Sequence, residues 1–365
     1  MKEYVAGRAH VDDTPELDRY YADLESGSMG ALWTVANAIE PWHPVPSCRP
    51  VLWRWADTRP AVLRALDLVR PEQAGRRVVM LVNPGARAIS AAVGLLYTGV
   101  QVMGPGEGAS AHRHAASALR FIMEGTGAFT VVDGERITLG PRDFVLTPNG
   151  TWHDHGVAAE GSTCIWQDGL DIPLVNALDA NSYAVHPDLR QQQTRPVDAS
   201  FALHGGGFLQ PAGSRWDKPY SPLLKFPWDE TYDALLRAAA ADEGSPFDGT
   251  ILDYVNPRTG GPVMATIGAS MQRLRPGQRT RAHRHTGSFV YQCAKGQGTT
   301  VIDGQAYDWS ERDIFVLPSW AVHEHINRSG TEDACLFCFH DLPVLRALAL
   351  HREEEWVDGH QELAA

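Results

Sequence analysis

Eight of the chain's 15 histidines stand in four pairs, each split by one residue: His112/His114, His153/His155, His283/His285 and His323/His325. On a β-strand, residues i and i+2 project from the same face about 7 Å apart, so each pair aims two imidazoles at one point. A third histidine from a neighbouring strand closes the triangle. Three neutral nitrogens suit Fe(II), Mn, Zn, Ni or Cu and leave coordination positions open. With no carboxylate or thiolate in the set, most of a divalent charge stays uncompensated, and the site attracts an anionic chelating ligand. The Cys335–Cys338 pair reads differently. CLFCF has the pattern of a buried strand, on which positions three apart face opposite ways and share no metal.

The elements that position these histidines come in two copies. Residues 105–155 and 276–325 align with an offset of 171 at Gly106/Gly277, His112/His283, His114/His285 and Gly127/Gly298. The offset becomes 170 at Asp133/Asp303, Pro148/Pro318, His153/His323 and His155/His325, so the second copy lacks one residue between the two blocks. In each copy an Asp-Gly turn joins short alternating strands (FTVVDGERITL, TTVIDGQAYDW), a strong hairpin signal. Short strands punctuated by Gly, Pro and Asp predict a mainly β chain of two small antiparallel barrels or jelly rolls. The expected division is a helical arm over 1–90, an N-terminal barrel over 91–180, a connector over 181–250, a C-terminal barrel over 251–345 and a tail over 346–365. VLRALDLV (62–69) and DETYDALLRAAAAD (229–242) read as helices, PVLRALALHREEEW as a final helix, and its EEE run (353–355) as a solvated helix face.

Composition narrows the function classes. Across 365 residues, 32 basic against 44 acidic side chains leave a net charge of −12, which disfavours nucleic acid and anionic membrane surfaces as partners. Hydrophobic residues at 44% and charged ones at 21% fit a folded globular protein rather than a disordered one. No apolar run approaches the ~20 residues of a membrane span, and the polar, acidic start does not show the apolar core expected of a secretory signal. Five cysteines, an odd count in a long chain, do not form a disulfide framework. A cytoplasmic location is expected.

The spacing Gly106, His112, His114 and then Pro148, Gly150, His153 resembles the cupin superfamily, although the glutamate usual four or five residues after the second histidine is replaced by Ala118 and Leu119. A bicupin with three-histidine sites is similar to the gentisate 1,2-dioxygenase family, which includes salicylate and 1-hydroxy-2-naphthoate dioxygenases. RRVVMLVNPG (76–85), HRHAASALRFIMEG (112–125), DGLDIP (168–173), LDANSYAVHP (178–187) and PSWAVHEH (318–325) carry that resemblance along most of the chain. It implies two tandem double-stranded β-helix barrels and Fe(II) on His112, His114 and His153. It also implies dioxygen and a small hydroxylated aromatic acid as reactants, bound through the acid's carboxylate and ortho hydroxyl. Ring cleavage between the carboxyl- and hydroxyl-bearing carbons then follows, giving maleylpyruvate from gentisate. Salicylate, a substituted salicylate and 1-hydroxy-2-naphthoate are the alternative substrates, and a homotetramer is the implied assembly. A non-catalytic bicupin that holds a metal or ligand is the reading from a different class.

The copies differ where chemistry would separate them. Arg120, eight residues after His112, faces the barrel interior if one strand runs unbroken from the histidines; its counterpart is Tyr291. Gly150 becomes Trp320, expected to crowd the second site. The N-terminal site is therefore read as catalytic, with Arg120 stabilising carboxylate or oxyanion charge. His283, His285 and His323 form a candidate second metal set whose occupancy is open. His155 stands between proton transfer and a structural place in the core. The resemblance further places Gln101 as a pocket-lining residue, with a shared structural role beside Gln272 as its rival. Asp168 is read either as orienting a ligand or as stabilising a turn, and Arg76 or Arg77 as a second anion contact. Tyr97 is read as shaping the pocket and tuning the substrate.

Overall fold

Both Asp-Gly turns form as the alternation requires. Asp133 and Gly134 (φ 43° and 81°), like Asp303 and Gly304 (49° and 79°), take positive φ at both central positions of a two-residue hairpin. A turn with both central residues in that region has a backbone twist of the same right hand as the flanking strands. The computed structural model describes residues 14–213 and 215–363. They divide into two units, up to Val45 and from Pro46 onward. The first carries α1 (Pro15–Ser26) and α2 (Leu32–Ile39). Thr14 caps α1 by accepting from Leu17 N–H at 3.2 Å, and Trp33 Nε1 donates to the Tyr21 hydroxyl at 3.0 Å.

The second unit contains both barrels. The strands begin with β1 (Val51–Trp53), β2 (Arg77–Met80), β3 (Tyr97–Met103), β4 (Gly108–His114), β5 (Ala118–Glu124) and β6 (Ala128–Val132). They continue with β7 (Glu135–Leu139), β8 (Phe144–Thr147), β9 (His153–Val157), β10 (Cys164–Leu170), β11 (Tyr183–Val185) and β12 (Lys225–Phe226). The C-terminal half has β13 (Thr250–Asp253), β14 (Gly268–Leu274), β15 (His283–His285), β16 (Phe289–Lys295) and β17 (Gln297–Ile302). It closes with β18 (Gln305–Ser310), β19 (Ile314–Leu317), β20 (His323–Asn327), β21 (Ala334–His340) and β22 (Glu353–Glu355). Each barrel is a six-stranded sheet facing a five-stranded one: β12-β8-β5-β10-β3-β2 over β11-β4-β9-β6-β7, and β1-β19-β16-β21-β14-β13 over β18-β17-β20-β15-β22.

Segments outside the repeat depart from local expectation because distant partners claim them. The stretch 1–90 carries helix Trp55–Leu68, as the pattern suggests, but also β1 and β2. β1 pairs antiparallel with β19 of the C-terminal barrel, Leu52 opposite Phe315, while β2 edges the N-terminal one. The tail corrects the helical reading of the EEE run: its helix spans only Leu342–Ala347, and Glu353–Glu355 is strand β22, paired with β15. Opposite charge and register hold it there, since Arg284 Nη2 lies 2.7 Å from Glu354 and His283 Nδ1 lies 3.1 Å from Glu353. Cys335 and Cys338 are free and buried in β21, as the strand pattern predicts.

The two six-stranded sheets share one hydrophobic core. Phe121 of β5 stacks on Phe337 of β21 with centroids 4.2 Å apart. Around it the repeat becomes a reciprocal contact: Arg142 donates to Ala294 O at 2.7 Å, and its counterpart Arg312 donates to Met123 O at 3.2 Å.

Two aspartates after the last barrel strands repeat the same lock. Asp171 Oδ1 accepts from Ser117 N–H at 2.7 Å, and Asp341 Oδ1 from Ser288 N–H at 2.8 Å. Asp171 also takes the Thr266 hydroxyl at 2.5 Å. Burial pushes the Asp341 carboxyl up to about 6. A carboxyl raised in the folded state contributes stability that is complete below its unfolded value near 4 and is lost as pH rises through 6. Asp341→Asn is therefore expected to remove about 1–3 kcal/mol of the stability loss between pH 4 and pH 8, read from denaturant midpoints at the two pH values.

Candidate active site

The N-terminal barrel interior collects the first histidine set by register. His153 of β9 lies opposite His112 of β4 on one side and Val132 of β6 on the other. Ring centroids of His112, His114 and His153 lie 4.3–5.6 Å apart. In each ring Nδ1 faces a backbone carbonyl: Ser110 O at 2.8 Å, Ala116 O at 2.7 Å and Thr151 O at 3.0 Å. A carbonyl only accepts, so all three imidazoles carry their proton on Nδ1 and present the Nε2 lone pair. His153 Nε2 is buried without a hydrogen-bond partner, so its lone pair is available to a metal. The donor set thus fits a divalent transition metal. Burial, and for His112 the neighbouring Arg76 cation, hold His112 near about 3 and His114 near about 4, which keeps them in the neutral ligating form.

Nitrogens of His112, His153 and His155 approach within 4.8 Å of one another, but the His155 lone pair is held by a guanidinium that Asp168 and Thr147 fix in place. His155 Nε2 accepts from Arg120 Nη2 at 2.8 Å, and its Nδ1 bonds the Thr130 hydroxyl at 2.7 Å. Burial first, and then the Arg120 cation, push its pKa well below the ordinary value.

Arg120 reaches this place by another route than an unbroken strand. β4 ends at His114, and β5, which carries Arg120, belongs to the facing sheet. Arg120 is 2% exposed. Its Nε lies 3.2 Å from Asp168 Oδ1, directly across the β5–β10 ladder, and Nη1 donates to the Thr147 hydroxyl at 2.9 Å. Asp168 sits in β10 rather than in a turn, and also accepts from Trp166 Nε1 at 3.1 Å. Desolvation lowers the Arg120 pKa to about 10, so it stays cationic at neutral pH.

A pocket of about 400 Å³ adjoins these groups, with Arg76, Tyr97, His114, Arg120 and Asp168 among its walls and Val78, Leu170 and Ile172 as apolar ones. The volume suits a single aromatic ring with its substituents. Of the two arginines, Arg77 turns away, to the carbonyl of Val69 at 3.2 Å and the Glu107 carboxylate, whereas Arg76 lies on the pocket wall and its Nη1 donates to His112 Nε2 at 3.0 Å. The Tyr97 hydroxyl lies over Gly99, where a Cβ would stand 2.9 Å from it and 2.6 Å from Val78 Cγ1, so only glycine leaves the ring its place. Gln101 is buried with Nε2 unpartnered and is not among these wall residues; Gln272 spends its Nε2 on the Asp248 carbonyl at 2.8 Å. Tyr183, on edge strand β11, stacks on His112 at 5.4 Å and closes the pocket rim. Spacing does not reveal it, because its place depends on β11 pairing with β4.

The second histidine set is built likewise, with His283 opposite His323 and their nitrogens, with those of His285, within 4.8 Å. Arg120 and Asp168 are lost there as a pair, since the facing residues are Tyr291 and Cys338. Trp320 does not fill this site: its ring lies between Arg284 (4.7 Å) and Arg352 (4.8 Å).

The cupin domain family matches the chain twice, over residues 99–173 and 270–340. The chain is 40% identical to a 5-aminosalicylate 1,2-dioxygenase of Comamonas sp, over 93% of this chain and 91% of that protein. It is 37% identical to gentisate 1,2 dioxygenase 1 of Aquipseudomonas alcaligenes, over 93% and 96%. The crystal structure of salicylate 1,2-dioxygenase from Pseudoaminobacter salicylatoxidans with gentisate superposes with a TM-score of 0.88 at 31% identity, covering 97% of each chain. Identity at this level along nearly the whole length extends beyond the cupin scaffold to the segments that carry the pocket. The chain belongs to the gentisate 1,2-dioxygenase family of bicupin ring-cleavage dioxygenases.

Proposed function

We propose that the N-terminal barrel cleaves gentisate with dioxygen to maleylpyruvate, using Fe(II) on His112, His114 and His153. The observation that carries this reading is charge: two arginines, Arg76 and Arg120, share one pocket wall with a single carboxylate, Asp168, beside three neutral histidines. A divalent ion adds further positive charge, and only an anionic ligand balances it. Fe(II) at this set would template the acid and dioxygen and pass electrons from ring to oxygen.

Arg76 donates to the His112 lone pair that a metal would take; with that lone pair so engaged, its guanidinium would be free to meet the substrate carboxylate. Arg120, fixed by Asp168 and Thr147, stabilises oxyanion charge without reorganising. His155 starts neutral with Nε2 as the acceptor, so it acts as a base toward the substrate hydroxyl, exchanging the Arg120 hydrogen bond for that proton. Tyr97 sets the depth available to the ring, and Asp168 aligns Arg120. Gln101 is placed behind the wall as a positioning residue. Following the resemblance, the enzyme is assigned to the cytoplasm as a homotetramer; the exposed apolar side chains of α2 (Leu32, Trp33, Val35, Ile39) support self-association.

A substituted salicylate is the second reading, favoured by the 40% identity to the 5-aminosalicylate enzyme. Oxygen uptake by protein loaded anaerobically with Fe(II) decides among gentisate, salicylate, 5-aminosalicylate and 1-hydroxy-2-naphthoate. Stoichiometric uptake with a ring-opened product is expected, with gentisate fastest. Absence of uptake with all four despite bound iron overturns the catalytic assignment in favour of a binding bicupin.

A further inference from the structure

The internal repeat allows each barrel to be read against the other, row by row across its six-stranded sheet. In the first, Leu170 of β10 lies opposite Tyr97 of β3 on one side and Ala118 of β5 on the other, and Ala118 lies opposite Thr147 of β8. In the second, the same row reads Gly268, His340, Phe289 and Leu317. Each row stands two residues from the next pair, Arg120 with Asp168 or Tyr291 with Cys338, so its side chains share the face of those pairs.

Between the copies this row moves bulk rather than adding it. The first barrel has its large ring on β3, as Tyr97, and a methyl group on β5, as Ala118. The second has glycine on β14 and a phenyl ring on β16. His340 packs so closely on Gly268 that a Cβ there would collide with the imidazole, so no tyrosine fits at that position. The Phe289 ring, 6% exposed, lies beside the histidine set, 4.8 Å from His285 and 4.7 Å from His340. The counterparts of those two neighbours, His114 and Leu170, are walls of the open pocket of about 400 Å³, and Ala118 is a third.

We propose that Ala118 is the specificity position that leaves room for one aromatic ring: the ring of the acid takes, in the first barrel, the place that the Phe289 ring takes in the second. It packs on the Ala118 methyl beside His114 and Leu170. The inference rests on the proposed function only in taking the pocket's ligand to be an aromatic acid. A benzene ring matches the phenyl it stands for, and any longer side chain at position 118 competes with it for the same space. Tyr97 and Ala118 then form a compensating pair across Leu170, large on one strand and small on the other.

The test loads the full chain anaerobically with Fe(II) and measures binding by calorimetry with two probes. Gentisate carries the ring; oxalate is a chelating anion without one. Ala118→Phe should weaken gentisate at least about 100-fold and Ala118→Val at least about tenfold, while iron content and oxalate affinity stay as in the unsubstituted enzyme. In oxygen uptake Ala118→Val should raise KM far more than it lowers kcat. The variant Tyr97→Gly/Ala118→Phe/Leu170→His installs a row already packed in the second barrel, and should exclude gentisate in the same way if Ala118→Phe alone does not fold. Gentisate bound equally by the unsubstituted and phenylalanine proteins would overturn the proposal. So would iron or oxalate lost together with gentisate, since the effect would then lie at the metal, or no gentisate binding by the unsubstituted enzyme. Gentisate bound by the unsubstituted enzyme and excluded by Ala118→Phe, but without oxygen uptake, would overturn the dioxygenase reading and uphold this one.

Discussion

Replacing His114 with alanine is expected to empty the first barrel of iron and lower turnover at least about 10³-fold, whereas replacing His155 leaves the iron in place. Both rings belong to the N-terminal barrel, and the contrast rests on their lone pairs. His114 spends Nδ1–H on the Ala116 carbonyl and keeps Nε2 free, while both nitrogens of His155 are engaged, by Arg120 and by Thr130. His155→Ala should then lower kcat by roughly 10²–10⁴, the range of a lost general base, at near-normal iron content. Iron per chain, measured beside oxygen uptake, separates the two. Iron retained by His114→Ala and lost by His155→Ala would reverse the ligand assignment.

Arg120→Ala should damage both stability and catalysis, and the two losses can be separated. Asp168, 5% exposed, would be left as a buried carboxylate without its cation, a change that costs about 3–5 kcal/mol. Desolvation already raises the Asp168 pKa against the pull of Arg120, so the orphaned carboxyl would take up a proton. Adding Asp168→Asn removes the uncompensated charge and should recover most of the stability. It should not recover kcat/KM, expected to fall by about 10–150-fold, the value of a hydrogen bond to a charged group. Arg120→Lys keeps the charge but cannot reach Asp168, Thr147 and His155 together, so it should behave as a partial loss. Unfolding midpoints and steady-state oxygen uptake on the four proteins check the scheme.

Much of this site is legible in the sequence because its information is local or repeated. HxH on a strand, Asp-Gly between strands and a constant offset of 171 or 170 each act over a few residues, and together they predict both barrels and both histidine sets. Arg120 is found by comparing the copies, although the argument of one continuous strand fails: the chain changes sheets between His114 and Ala118. What stays hidden depends on pairing across long separations. β1 is recognised only against β19, Tyr183 only through β11 on β4, and Glu353 only through β22 on β15. The acidic run at 353–355 has helical composition in a helical neighbourhood, and its basic partner Arg284 makes it a strand. Adjacent arginines likewise cannot be told apart by pattern; Arg77 and Arg76 point to opposite faces because β2 begins between them.

The reciprocal contact between the barrels bears on what the second one is for. Arg142 and Arg312 each reach into the other half, and Phe121 on Phe337 places both sheets in one core, so the halves are joined as the subunits of a two-fold dimer would be. Neither can loosen without exposing the other's apolar face. Free energy gained when one half is liganded is therefore available to the other by linkage. On the proposed assignment of turnover to the first barrel, the half without the arginine pocket would serve as ballast, its sheet backing the one that carries Arg120.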